Sequence, residues 1–397
     1  MGKIRSRFFQ LSANALLKFG IRGPRATSND SLIPAREFDE RFGLLRSLLI
    51  LARQRKTWSP VMILGELWRL FTNLGLHREI LGLLKLRPFA EIVQDNPRWA
   101  FKYVIPDYLA RSFTLTERVS CFLHHYRRIH SALPENVLRQ ILQGDVTLHE
   151  ISDGVNCFVL TMGLPEPYFD QEGELSLNLQ VNGKKVFTLC FTIVPGWVLK
   201  SEAAEIVLIT RLQGATGCNS EIKLARKVLH DYSPRGPLLA ALQGIAGALG
   251  IGELRAVSAT NQRSYSRKRS PALLNGYDDF FAKVGMVKTS GGFYSSPIPI
   301  EGKSLDSFRG SKRSRARKRR AMRQQIELAC ASFLLEVTDR TADSSPSEVC
   351  RAPVLVAVEP QLTTTSCPTP DKILTIEQDE LSIFPSLGKL TGLKKTL

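Results

Sequence analysis

The stretch ELSLNLQVNGKKVFTLCFTIV, residues 174–194, carries the reading on which the fold turns. In its first arm Leu175, Leu177, Leu179 and Val181 alternate with Glu174, Ser176, Asn178 and Gln180, the period of a strand whose side chains leave by opposite faces. Asn182-Gly183 follows, the dipeptide that best tolerates the two positive φ angles of a type I′ turn. The second arm is apolar at both parities, with Val186, Phe187, Leu189, Phe191 and Ile193, so it is expected inside a sheet. EIVLITRL from Glu205 supplies its other neighbour, and CFVLTM from Cys157 a further strand.

N-terminal to the hairpin the period is helical, from about Phe38 to Gly144. Thr114 and Glu117 have the spacing of a capping box, and Val119, Phe122, Leu123, Tyr126 and Ile129 then recur on one helical face. A second short helix runs from Pro134 to Gly144. C-terminal to the hairpin, Pro237 suits a first helical turn, Leu238, Leu242, Ile245 and Leu249 form an apolar stripe, and Gly250 ends it. The strand ELRAVSA begins at Glu253. NGYDDFFAKVGM then reads as a helix capped by Asn275, with Asp278 and Asp279 at its positive end, Tyr277, Phe280, Phe281 and Val284 on one face, and Gly285 closing it.

The fold class expected is α+β. A basic N-terminal extension covers residues 1–37, a helical subdomain 38–150, an α/β domain 151–300, a basic helix 301–338, and a Ser/Thr/Pro-rich, poorly ordered tail 339–397. A chain of 397 residues, 43% of them hydrophobic, can bury a sizeable core and has room for two or three domains.

Seven cysteines without a CxxC fit reduced thiols better than a disulfide framework. Lys18 interrupts the apolar part of the first stretch, which argues against a secretory signal. No apolar run approaches the roughly 20 residues of a membrane-spanning helix. A soluble, cytoplasmic protein is expected, with any membrane contact peripheral and at the inner membrane.

Charge is the strongest compositional signal. The formal net charge is +17, and residues 301–323 carry ten Lys/Arg against Glu301 and Asp306. Such a tract attracts any polyanion, because neutralised phosphates release counterions whether they belong to DNA, RNA, anionic lipid or lipopolysaccharide. Arg317, Lys318, Arg319 and Arg320 are the candidate anion-binding residues. Past them, Met322, Ile326, Ala329 and Phe333 form a stripe by which the distal half of the helix should dock.

Other motifs carry less. His124, His125 and His130 share no i, i+4 spacing, and Cys121 with His125 has that spacing but no further ligand, so no metal site is assigned. GIAGALGIG from Gly244 sits at a helix end, where close helix packing accounts for it better than a dinucleotide fingerprint. No GxSxG elbow nominates a serine nucleophile. Trp58, Trp68, Trp99 and Trp197 read as apolar anchors.

The succession of hairpin, EIVLITRLQG, GPLLAALQGIAGALGI, ELRAVSA and YDDFFAKVGM resembles the core of the acyl-CoA N-acyltransferase (GNAT) superfamily. More specifically, RLQG, YDDFFAKVG and KRSRARKRRAM in that order resemble the bacterial VirK/YbjX family, over roughly residues 41–326. The family resemblance implies a role in envelope homeostasis, surface display of virulence factors or resistance to cationic peptides, without naming a reaction. The superfamily resemblance implies acyl-CoA as cofactor, held near Arg211, Gln213, Gly214 and Gly236. It places a general-acid tyrosine at the position of Phe281, leaving Tyr277, one turn earlier, as the candidate catalytic residue. Pro234 and Pro237 at the corresponding helix start have no N–H to offer a pyrophosphate. Three readings follow: a VirK/YbjX-like envelope protein, an acyl-CoA-dependent acyltransferase, and a nucleic-acid-binding protein.

Overall fold

The computed structural model describes residues 65, 68–166, 171–265 and 274–342; the N-terminal extension, Trp58 and most of the C-terminal tail lie outside them. The helical part contains α1 (Leu74–Leu84), α2 (Phe89–Asp95), a 3-10 segment (Pro97–Val104), α3 (Leu115–Ala132) and α4 (Glu135–Gln143). The capping box at the head of α3 is complete: Glu117 N–H donates to Thr114 Oγ1 (3.3 Å), and Thr114 N–H donates to Glu117 Oε2 (2.7 Å). The predicted face of α3 is buried, and Arg118, Cys121 and His125 are buried with it. This wider burial follows from position, since α3 packs on the sheet, α1 and the 3-10 segment together.

Among the described residues one sheet has eight strands: β1 (Val146–Ser152), β2 (Cys157–Gly163), β3 (Leu175–Val181), β4 (Lys184–Pro195), β5 (Glu205–Gly214), β6 (Glu253–Val257), β7 (Val287–Lys288) and β8 (Phe293–Pro297). Their order is β1-β2-β3-β4-β5-β6-β8-β7, antiparallel except for the parallel pair β5-β6. The hairpin turns at Asn182 (φ 51°) and Gly183 (φ 79°), and β4 lies between β3 and β5 as its apolar parities require. β1 was not foreseen; it takes in residues 146–150 at the end of the segment assigned to the helical subdomain and runs on to Ser152.

β3 is buried at both parities: Glu174, just before its first residue, and Ser176 and Asn178 are as inaccessible as the leucines between them. The alternating pattern would suit a half-solvated strand, yet the helices cover both faces.

After β5 come α5 (Asn219–Val228) and α6 (Arg235–Ala248), the latter crossing to β6. Before β7 the chain makes a π turn, Leu274–Asp278, then a short helix α7 (Asp279–Lys283). Asn275 is therefore inside a turn and not a cap. Asp278 accepts from Ala259 N–H (2.7 Å) and pairs with Lys288 (3.2 Å), tying α7 to the end of β6 and to β7.

The long helix α8 (Gly310–Ala342) packs along α6. Its docking seam is Ile326, Cys330 and Leu334, all buried, with Met322 and Phe333 only partly covered beside it. The predicted stripe is thus rotated slightly about the helix axis. At the crossing a β-carbon on Gly244 would overlap the Glu327 carbonyl, so the α6 backbone lies directly against α8. Trp99 is buried, but Trp68 and Trp197 are exposed and are not anchors of the described core.

Candidate functional site

The two halves of α8 have different surroundings. The distal half is fixed by its seam and by Arg323, which donates to Glu327 (2.7 Å) and to the Ile300 carbonyl (2.7 Å), while Gln243 of α6 donates to Glu327 (3.2 Å) and accepts from Ile300 N–H (2.7 Å). The proximal half projects its cations outward: Arg317, Lys318 and Arg320 are exposed and Arg319 is half-buried. Several proximal cations are satisfied internally. Arg313 pairs with Asp306 (2.9 Å), and Arg320 donates to the Lys303 carbonyl (2.9 Å).

Between α5 and the proximal half of α8 lies a cleft of about 530 Å³, lined by Lys223, Arg226, Lys227, His230, Asp231, Ser314, Arg315 and Lys318. Lys223, Arg226 and Lys227 stand at i, i+3 and i+4 on α5, and Arg315 and Lys318 at i, i+3 on α8, so each wall is one helical face. Buried Ala225 and Leu229 fix which face of α5 turns inward. The rim of this cleft includes the turn at His230 (φ 54°) and Asp231 (φ 58°), two consecutive non-glycine residues in the left-handed region. Asp231 pairs with Arg315 at 3.0 Å.

The residues expected around acyl-CoA are engaged by the protein itself. Arg211 is buried, pairs with Glu172 and donates to Gln213 Oε1 (2.6 Å). A β-carbon on Gly214 would press against Phe187 and Ile222, and one on Gly236 would enter the Tyr232 ring. Gly236 N–H already donates to the Ser233 carbonyl (2.7 Å). Tyr277 is buried, its hydroxyl accepts from Leu212 N–H (2.8 Å), and burial pushes its pKa up to about 12.

The strands explain why. The parallel β5-β6 register ends at Ile209–Ala256, and beyond it the β5 backbone is served by side chains: Gln262 donates to the Thr210 carbonyl (2.9 Å) and Tyr277 receives Leu212 N–H. Arg211, Gln213, Gly214 and Tyr277 are therefore neighbours, whereas the tract residues on α8 belong to a different surface.

A second charged cluster is sealed. Glu174, fully buried, accepts from Lys102 (2.8 Å), Tyr108 and Tyr126. Burial raises its pKa, against the opposing pull of Lys102 and the two phenols. Nearby, His125 Nδ1 accepts from Ile193 N–H (3.1 Å), and burial, with Lys102 and His124, holds its pKa well below the ordinary value. His124 pairs with Glu205 (3.1 Å) and the His130 ring lies against Phe89 (5.7 Å between centroids), so the three histidines of α3 serve separate structural contacts.

Sequence reading missed α5 and with it Lys223, Arg226 and Lys227. Their i, i+3, i+4 spacing was the available signal. It also missed Glu174 as a buried carboxylate, whose partners stand 48 to 72 residues away in the chain.

No helix among the described residues is long and apolar enough to cross a membrane. No curated protein matches this chain. A family model described as a protein of unknown function, DUF535, matches residues 67–332, a span that contains α1 to α7, the sheet and the proximal half of α8 together with its docked middle. The chain belongs to this family, DUF535, also known as VirK/YbjX.

Proposed function

We propose that this protein acts in bacterial envelope homeostasis or virulence by holding a phosphate-bearing polyanion, anionic lipid or lipopolysaccharide, on the basic proximal half of α8, from the cytoplasm and peripherally at the inner membrane. The observation that carries the reading is the division of α8: its distal half is anchored by Ile326, Cys330 and Leu334, while Arg317, Lys318 and Arg320 stand exposed on the preceding turns of the same helix. The envelope assignment draws on the VirK/YbjX resemblance. It is tested by co-sedimentation with phosphatidylglycerol vesicles and by duplex-DNA binding, each as a function of salt, for the wild type and for Arg317→Gln/Lys318→Gln/Arg319→Gln/Arg320→Gln. The variant should lose vesicle binding and show a flatter salt dependence. Preference for DNA over vesicles at physiological salt would favour the nucleic-acid reading instead, with a slope change of about 0.9 per lost phosphate contact.

A second reading, an acyl-CoA-dependent acyltransferase with Tyr277 as catalytic residue, is favoured by the strand order and the single parallel pair bridged by α6, the succession that the GNAT resemblance implies. Against it stand the internal partners of Arg211, Gln213, Gly236 and Tyr277. Calorimetry with acetyl-CoA and a long-chain acyl-CoA decides: no heat at millimolar ligand removes this reading.

A further inference from the structure

We propose that the cleft between α5 and α8 is a specific site for a compact group bearing two or more phosphates, recognised by Lys223, Arg226, Lys227 and Lys318. It deepens the polyanion reading, on which it rests, by naming a built pocket and a ligand size.

Three observations converge. The first is charge bookkeeping: five Lys/Arg line the cleft against one carboxylate, Asp231, and that carboxylate is taken by Arg315. Lys223, Arg226, Lys227 and Lys318 have no ion pair or side-chain hydrogen bond with any described residue, whereas Arg313, Arg320 and Arg323 on the same α8 each have a partner within the fold. Four cations without such a partner thus line one concavity, while Lys312 and Arg317 of α8, which also lack one, lie off it. The second is convergence: α5 and α8 are about 90 residues apart in sequence, and each turns a cationic face to the other. Like charges brought together raise the free energy of the empty fold, a cost that a bound polyanion removes. Arg226 and Lys227 recover part of it from the C-terminal end of the α5 dipole, but Lys223 and Lys318 do not.

The third is shape. A volume of about 530 Å³ lies within the range of small-ligand sites. It admits a diphosphate, a triphosphate or a phosphorylated headgroup, while a duplex could touch only the rim. The paired turn at His230 and Asp231 holds the rim in a backbone conformation that non-glycine residues adopt at a cost, as ligand-clamping turns do. The same chemistry is offered by a soluble oligophosphate and by a phosphorylated lipid headgroup.

Calorimetry of the full chain with inorganic tripolyphosphate, pyrophosphate and orthophosphate tests the site, alongside vesicles with and without a phosphomonoester lipid. Affinity should rise from orthophosphate to tripolyphosphate. Lys223→Gln/Lys227→Gln/Lys318→Gln should weaken tripolyphosphate binding at least about tenfold. Lys312→Gln/Arg313→Gln, on α8 but off the cleft and outside the four nominated residues, should leave it within about twofold. Asp231→Asn should tighten it about threefold, because asparagine tolerates the left-handed backbone and frees Arg315.

Preference for phosphomonoester vesicles over tripolyphosphate would assign the headgroup as the source, and the reverse a soluble oligophosphate. Equal loss in the cleft and off-cleft variants, or no response to Asp231→Asn, overturns the site and leaves a diffuse basic surface. Tripolyphosphate binding without any binding to vesicles or DNA would overturn the polyanion function while the cleft stands. Binding to vesicles or DNA without tripolyphosphate binding would do the opposite.

Discussion

The Glu174 cluster and the α5–α8 cleft are both built from charged side chains, and they use charge in opposite ways. Around Glu174 every charge has an internal partner: Lys102 lies at 2.8 Å, and two phenols complete the carboxylate's shell in the absence of solvent. In the cleft five cations line open space with one acid, which Arg315 already pairs. A sealed and neutralised cluster can only support the fold, whereas an open and unbalanced one is poised for something outside it. The same contrast divides α8, whose distal cation Arg323 is bound up with Glu327 and Ile300 while Lys318 is not.

The largest expected effect comes from unbalancing the sealed cluster. Lys102→Met leaves the buried Glu174 carboxyl without its cation and should cost about 3–5 kcal/mol near neutral pH. Because burial already raises the Glu174 pKa, the penalty should shrink in mild acid as the carboxyl takes up a proton. Lys102→Met/Glu174→Gln, which removes both charges but keeps an acceptor for Tyr108 and Tyr126, should be less destabilised than Lys102→Met alone. Denaturant melts of the three proteins at neutral and acid pH measure this. If the double variant is the weakest, the cluster is not held by charge balance.

Next in size is an acid limb of stability from His77. Its Nδ1 lies 2.8 Å from the Tyr103 hydroxyl, and burial lowers its pKa from 6.5 to about 4. The unfolded chain therefore takes up a proton below about pH 6.5 while the folded chain stays neutral until about pH 4, so stability present at neutral pH is lost as pH falls through that window. The loss attributable to this residue is about 3 kcal/mol at its limit. His125, whose pKa burial also lowers, acts in the same direction. His77→Gln should make the melting midpoint fall less steeply between pH 6.5 and 4.5. A slope equal to that of the wild type would remove His77 from the account.

A smaller effect tests the support behind the cleft. Gly244→Ala places a methyl against the Glu327 carbonyl, backbone against backbone, and should cost about 1–3 kcal/mol. Gly247, one turn on, has nothing within 4 Å of an added β-carbon, so Gly247→Ala should stabilise the helix by about 0.5–1 kcal/mol. Opposite signs at two glycines of one helix would be the mark of a close α6–α8 crossing, and matching signs would rule it out.

Much of the sheet was legible because its signals are local. Asn182-Gly183 fixes the hairpin by its own backbone preference, the two apolar parities of Val186–Val194 demand flanking strands, and Thr114 with Glu117 closes a cap within a single turn. What escaped notice lacks such signals. β7 has two residues, and α5 buries only Ala225 within its span, leaving the charge spacing of Lys223, Arg226 and Lys227 but no apolar stripe to betray its period. The polar parity of β3 reads as solvent-facing because the partners that neutralise Glu174 come from the helical segment. For the site, the basic tract was plain from composition, but only Lys318 of the four nominated residues lines the cleft. The opposite wall became visible only when the fold brought α5 against α8.

The smallest expected effect on stability separates the cleft from the sealed cluster most directly. If the unpartnered cations repel one another in the empty protein, Lys223→Gln/Lys227→Gln/Lys318→Gln should leave stability within about 0.5 kcal/mol of the wild type at ordinary salt, since exposed charges are screened there. At low ionic strength the variant should become the more stable protein, because the wild type alone retains the mutual repulsion that salt would screen. The melting midpoint of the wild type should rise as sodium chloride is added from a few millimolar upward, and that of the variant should rise less. No such difference is expected for Arg313→Gln, whose partner Asp306 makes its contribution attractive and weakens with salt. Equal salt responses in all three proteins would mean that the cleft cations do not sense one another. The cleft would then lack the electrostatic strain that distinguishes it from a solvated surface, and its contrast with the neutralised Glu174 cluster would fail.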